Sequence, residues 1–147
     1  MMMQLERFAP TLLSRDVAAT RDFYVTRFGF RAEVDIGWFV SLRHDAEAYE
    51  LCLVAADHPS TPERFRRPSE GVIIGFLVAD ASAEEARLRA AGTEIVEPLR
   101  DEPWGQRHFY VADPDGVLID VVQQTTPSAA WLAEHAGMAG IAAADAR

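Results

Sequence analysis

The chain punctuates itself twice in the same way. Asp16 precedes a stretch with helical apolar spacing that Gly29 ends, and Asp80 precedes another that Gly92 ends. Aspartate at a helix start accepts hydrogen bonds from the free N–H groups there. Glycine takes the left-handed turn just past a helix end. Strand-like runs flank both stretches in the same order, one before and three after. This register makes the chain a β-α-β-β-β unit written twice. The expected fold class is α+β: two tandem βαβββ modules, each an open mixed sheet with one helix on its outer face. The concave inner faces would form a ligand cleft, and a short C-terminal helix would follow.

Residues 5–55 form the first expected module. Arg7 to Arg15 opens it as an edge or bulged strand, because Pro10 lacks a ladder donor. Val17 to Phe28 is the helix, with Val17, Phe23, Tyr24 and Phe28 roughly on one face. Phe30 to Asp35, Trp38 to His44 and Ala48 to Ala55 follow as strands, with turns at Ile36-Gly37 and Asp45-Ala46-Glu47. Residues 56–71 are rich in proline and charge and read as a linker.

Residues 72–124 repeat the pattern. Val72 to Ala79 is a strand, Asp80 or Ser82 caps a helix from Ala83 to Ala91, and Glu94 to Leu99 is the next strand. The hairpin from Arg107 to Val122 completes the module. Its tip, Asp113-Pro114-Asp115-Gly116, is turn chemistry: proline presets φ, aspartate bonds nearby backbone N–H groups, and glycine accepts positive φ. Residues 125–147 hold a short helix from Pro127 to about His135 and a tail, Gly137 to Arg147, expected to be loose or packed on a partner chain.

Composition bounds the function. The chain of 147 residues suits one domain of two fused modules, and 49% hydrophobic content provides a core. A net charge of −9 argues against nucleic acid and an anionic membrane surface, and favours a cationic ligand. No apolar run approaches the ~20 residues that span a bilayer. The start, Met-Met-Met-Gln-Leu-Glu, lacks the pattern of a signal peptide, so the cytoplasm is the expected location. Cys52 is the only cysteine, which excludes an internal disulfide and cysteine-rich zinc sites.

Asp120 stands out in the apolar run from Val117 to Val122. A carboxylate there faces solvent or points into a site. If Ile119 and Val121 pack on the helix, alternation turns Asp120 to the concave side. Glu50 alternates with Leu51 and Leu53 in the same way. Two such carboxylates repel, so a cationic ligand or an arginine must offset them; Arg43 and Arg107 are nearest in sequence. Trp38 and Trp104, beside Gly37 and Gly105, are expected at the cleft mouth, and Tyr49 borders Glu50. Phe39 and Phe109 are expected in the helix-side core. His108 and Tyr110 share a strand face. His108, Glu50 and Asp120 are the candidates for acid–base chemistry. Cys52 shares the face of Glu50 and lines the site or packs as a small hydrophobe. His44 and His58 fall near turns and read as surface. The expected ligand-binding set is Trp38, Tyr49, Glu50, Cys52, Trp104, His108, Tyr110 and Asp120.

Arg15 to Phe30 reads R-D-x-x-x-x-x-D-F-Y-x-x-x-F-G-F, and Pro103 to Gly116 reads P-W-G-Q-R-x-F-x-x-x-D-P-D-G. With the duplicated unit, these motifs make the chain resemble the vicinal oxygen chelate superfamily from about Leu5 to Gln124. That superfamily groups glyoxalase I, extradiol dioxygenases and bleomycin-resistance proteins. Its enzymes hold a divalent metal with residues from the first and last strands of each module, usually histidine with glutamate. Carried over by resemblance, the first-strand positions fall near Ala9 and Ile73, neither of which binds a metal. The last-strand positions fall on Glu50 and Asp120.

The resemblance is therefore closest in character to the metal-free bleomycin-resistance branch. It implies a glyoxalase-like protein that binds a small cationic or aromatic molecule in an acidic cleft, with no metal or other cofactor. Antibiotic resistance itself does not follow. The alternative is a metal-dependent lyase, isomerase or dioxygenase of the same superfamily. A third reading is a metal-free enzyme using Glu50, Asp120 or His108 as acid and base. The resemblance also implies a homodimer, to which Trp131 and Leu132 of the last helix add apolar surface.

Overall fold

A computed structural model describes residues 1–45 and 48–136. The tail from Gly137 to Arg147, and Ala46 and Glu47 of the expected turn, lie outside the described residues. The elements are β1 (Thr11–Ser14), α1 (Val17–Phe28), β2 (Phe30–Asp35), β3 (Phe39–His44), β4 (Glu50–Ala55), β5 (Ile73–Leu77), α2 (Ala81–Ala90), β6 (Ile95–Glu102), β7 (Gln106–Ala112), β8 (Leu118–Gln124) and α3 (Ala129–Glu134). They build two four-stranded sheets with orders β1-β4-β3-β2 and β5-β8-β7-β6. In each sheet the first strand runs parallel to the last, and the other pairs are antiparallel. The duplicated α+β architecture is the one the sequence predicts.

The chain divides into two compact units. The first is Met1–Val72 together with the hairpin tip Asp113–Val117; the second is Ile73–Ala112 with the chain from Leu118 onward.

In the first unit, Asp16 is extended and its Oδ1 accepts from Ala19 N at 3.0 Å. Gly29, at φ +76°, closes α1 in the left-handed conformation. Val17, Thr20 and Tyr24, spaced at i, i+3 and i+7, are buried. The Tyr24 ring meets Phe30 edge-on at 6.1 Å between centroids, so the face of Phe30 is the helix side. Phe30, Val40, Leu42, Leu51 and Leu53 line it, each 6% exposed or less. Burying such a side chain contributes roughly 1.5–3 kcal/mol.

Phe39 is a correction: it pairs with Val54 on the other face, while Val40 pairs with Leu53. The apolar stripe of β3 is Val40 and Leu42, and alternation turns Phe39 away from it. The expected linker is also more structured than its composition implies. It holds a 3₁₀ turn at Glu63–Phe65. Ser69 then bonds Leu13 twice, its N–H to Leu13 O at 2.9 Å and its Oγ from Leu13 N at 2.8 Å, covering part of the free edge of β1.

The hairpin tip satisfies the buried polar groups of this unit. Asp115 accepts from Ser14 Oγ at 2.6 Å, Thr20 Oγ1 at 3.0 Å and Arg15 N at 2.8 Å. Asp113 accepts from the Tyr24 hydroxyl at 3.0 Å, Asp115 N at 2.8 Å and Val117 N at 3.0 Å. Ser14, Thr20 and Asp113 are buried polar residues that are thereby paired. Burial nevertheless holds the Asp113 carboxyl above its usual range, outweighing the three donors. Burial, and then the Asp113 charge, push the Tyr24 hydroxyl up as well.

In the second unit, Asp80 rather than Ser82 is the cap, accepting from Ala83 N at 3.0 Å, and α2 starts at Ala81. Phe109, Val111, Ile119 and Val121 are 1% exposed or less and form the core with Leu88 of α2. β6 continues past the expected end at Leu99 to Glu102. Its pairing with β7 shifts register twice, between Ile95 and Glu97 and between Glu97 and Arg100. Pro98 sits within the second shift, where a missing N–H is tolerated. Gly105, at φ +98°, packs so closely that a Cβ there would lie 2.7 Å from Thr125 O. Among the described residues, no helix is long and apolar enough to cross a membrane.

Candidate functional site

The helix covers one face of each sheet, and the other face carries Glu50 in the first unit and Asp120 in the second. In the second unit, Ile119 and Val121 pack in the core, so Asp120 points the other way. Asp120 pairs with Tyr110 on β7 and with Gly75 on β5, whereas Ile73 pairs with Leu118. The first-strand residue beside Asp120 is therefore Gly75, not the expected Ile73. Glycine has no donor side chain either.

His108 is 3% exposed and lies between two carboxylates. Its Nδ1 is 2.8 Å from Asp120 Oδ1, and its Nε2 is 3.0 Å from Glu102 Oε1. Ionised carboxylates only accept, so both bonds form together when both ring nitrogens carry hydrogen. Arg100 Nε donates to Glu102 Oε1 at 2.5 Å. The hydrogen bond from His108, then that from Arg100, hold the Glu102 carboxyl below its usual range. The Tyr110 ring centroid lies 5.1 Å from that of His108. Burial, then the Asp120 charge, raise the Tyr110 hydroxyl.

Glu102 is a residue the sequence reading missed. Its signal was the acidic pair Asp101-Glu102 just before the Trp104-Gly105 turn, which belongs to β6 rather than to a loop. Arg107 is a correction: it donates to Asp101 at 2.7 and 3.0 Å and does not offset Asp120. Its side chain alternates with His108 and leaves on the opposite face. Trp104 is 44% exposed, and its Nε1 donates to Gln106 Oε1 at 2.8 Å.

In the first unit, Glu50 faces away from Leu51 and Leu53, and its side chain is 8% exposed. Arg43, its register partner, donates from Nη2 to Glu50 Oε1 at 2.7 Å, as expected for a compensating arginine. Arg43 Nε also lies 3.2 Å from Glu33 Oε2. Arg7, which the sequence reading did not single out, pairs with Glu50 too and lies 3.8 Å from Glu33. Glu6, Arg7, Phe8, Arg43, Ala48 and Glu50 line a cleft of about 390 Å³. The parallel ladder sets Thr11 beside Cys52, and Cys52 N donates to Pro10 O at 2.9 Å. The ladder begins at Thr11, so Ala9 lies outside β1.

Cys52 is a half-buried free thiol. Tyr49 is 63% exposed, beside Glu50 in sequence. Trp38 stacks on His58, with centroids 3.7 Å apart and planes at 5°, so His58 is a ring partner rather than plain surface. The structure thus brings His108, Tyr110 and Asp120 onto one face of the second unit, and Glu50 and Cys52 onto one face of the first. Among the described residues, no group of three or more His, Cys, Asp or Glu side chains is placed to hold a metal ion.

Residues 5–121 match the profile of the Glyoxalase/Bleomycin resistance protein/Dioxygenase superfamily. A superfamily member from Sphaerobacter thermophilus has a similar structure, with a TM-score of 0.69 and 25% identity over 84% of this chain and all of that one. TioX from Micromonospora sp. ML1 is also similar, with a TM-score of 0.63 and 26% identity over 81% of this chain and 98% of that one. An uncharacterized Mycobacterium tuberculosis protein, Rv0887c, is 29% identical over 122 residues, covering 74% of this chain and 68% of that protein. The duplicated unit, the open faces and the profile lead to one conclusion: the chain belongs to the glyoxalase/bleomycin resistance protein/dioxygenase superfamily.

Proposed function

We propose that this chain is a metal-independent small-molecule-binding member of the superfamily whose ligand is a flat organic cation. The observation that carries the reading is the pair Glu50 and Asp120. They stand on the last strand of each repeat, two residues out of step, on faces the helices leave open, with side chains 8% and 18% exposed. Sheltered carboxylates cost free energy and contribute nothing to the apolar core, which points to ligand recognition. Tyr110 near Asp120, and Phe8 in the cleft at Glu50, add rings that favour a flat cation. The net charge of −9 would speed capture.

The donor set does not fit the divalent metal that the family implies. Asp120 stands beside Gly75, the first-strand segment just before Thr11 offers Glu50 only Ala9 and Pro10, and each carboxylate already has a cationic or N–H partner of its own. The competing reading is a metal-dependent lyase, isomerase or dioxygenase. A homodimer in the cytoplasm, joined in part through Trp131 and Leu132, completes the proposal.

EDTA-treated protein, assayed on a hemithioacetal and a catechol before and after divalent metals are restored, separates the two readings. The binding reading expects no turnover in either state. It also expects a higher melting temperature with benzamidine but not with benzamide or benzoate. Turnover restored by metal overturns it.

A further inference from the structure

Glu50 has two guanidinium partners of very different kinds. Arg43 stands opposite it in the β3–β4 register and donates to it from Nη2, while its Nε lies 3.2 Å from Glu33 without a hydrogen bond. Arg7 comes from the irregular segment before β1, its side chain is 62% exposed, and its neighbours Glu6 and Phe8 are exposed too. It nevertheless reaches into the cleft to Glu50 and lies 3.8 Å from Glu33. That cleft, about 390 Å³, falls within the size range of small-molecule sites.

We propose that Arg7 is an internal stand-in for the ligand. On this view the cleft at Glu50 is a subsite for an amidinium or guanidinium group, which Arg7 fills in the free chain and vacates when a flat cation enters. The inference rests on the cation-binding reading and names the chemistry of its ligand. A guanidinium offers a carboxylate a planar fork of N–H donors, and an amidinium offers the same fork. With its side chain 62% exposed, Arg7 returns to water at less cost than the half-buried Arg43 would. An aryl amidinium brings in addition a ring to set against Phe8, which is 79% exposed and lines the cleft. Arg43, set opposite Glu50 by the strand register and bonded to it, remains as the wall of the subsite.

Benzamidine titration followed by NMR tests this in the native chain, Arg7→Ala, Arg64→Ala and Glu50→Gln. Binding is read at the backbone amides of Tyr49 and Leu51, which flank Glu50, so that occupancy elsewhere does not count. Arg7→Ala, in a segment outside every helix and strand, is expected to bind roughly two- to fivefold more tightly than the native chain. Arg64→Ala removes the same charge outside the cleft lining and is expected to leave affinity unchanged. Glu50→Gln is expected to weaken binding at least about tenfold. If Arg7→Ala shows no gain, or Arg64→Ala matches it, the stand-in is overturned while the cation-binding reading survives. If the native chain binds no benzamidine, both are overturned together.

Discussion

The imidazole of His108 lies 2.8 Å from the Asp120 carboxylate, diagonally across the β7–β8 ladder on the face that the helix leaves open. Its other nitrogen meets Glu102 at 3.0 Å, so one buried ring keeps two acids apart. Replacing His108 by alanine leaves both carboxylates without that donor. We expect a loss of about 2–4 kcal/mol in stability, measured by urea denaturation. A loss indistinguishable from zero would mean that the ring does not organise this face.

Glu102 makes the same arrangement depend on pH. Its folded carboxyl is held below the ordinary glutamate value of 4.5, first by the His108 hydrogen bond and then by Arg100. A lowered folded value means that the contribution is full above the unfolded value and is lost as pH falls through the folded one. Native protein should therefore lose stability steadily as pH drops below about 4.5, the ordinary value. The Glu102→Gln variant should show a shallower slope over that interval. Parallel slopes would contradict the pairing.

Asp113 behaves in the opposite sense. Burial raises its folded value, so its contribution is full below the ordinary aspartate value and is lost as pH rises through the folded one. The Tyr24 hydroxyl, donating at 3.0 Å, limits that loss. Tyr24→Phe is expected to cost about 1–2 kcal/mol. The cost should be larger at neutral pH, where the ionised carboxylate needs the donor, than in acid, where the raised carboxyl takes up its proton. Thermal melts at the two pH values check the sign.

Gly105 tests the packing beneath Trp104. A methyl group there would meet Thr125 O at 2.7 Å and would also strain a backbone at φ +98°. Gly105→Ala should lower stability by about 2 kcal/mol or more. A neutral effect would show that the turn relaxes.

Local chemistry made much of this fold legible in the sequence. Asp16 and Gly29 delimit α1 at its observed ends because a cap and a left-handed turn act within a few residues. Strand alternation set Asp120 and Glu50 opposite their apolar neighbours but left open which face each takes; the burial of Ile119, Val121, Leu51 and Leu53 turns both away from the helices. What it left out depends on partners distant in sequence. The Glu102–His108 contact needs the register of β6 on β7, which bulges shift twice. Thr20 is buried because Asp115, 95 positions away, bonds its hydroxyl. Arg7 reaches Glu50 across 43 positions from a segment with no periodicity of its own. Arg107 went to Asp101 because neighbouring strand residues face opposite ways.

Calorimetric titration of metal-stripped protein with benzamidine bears most closely on the two last-strand carboxylates, Glu50 and Asp120. The native chain should bind benzamidine and not the isosteric benzamide or benzoate, with no change when EDTA is present. The double variant Glu50→Gln/Asp120→Asn, if folded by circular dichroism, should lose that binding. Equal binding of all three compounds, or undiminished benzamidine binding by the double variant, would contradict cation recognition by these carboxylates.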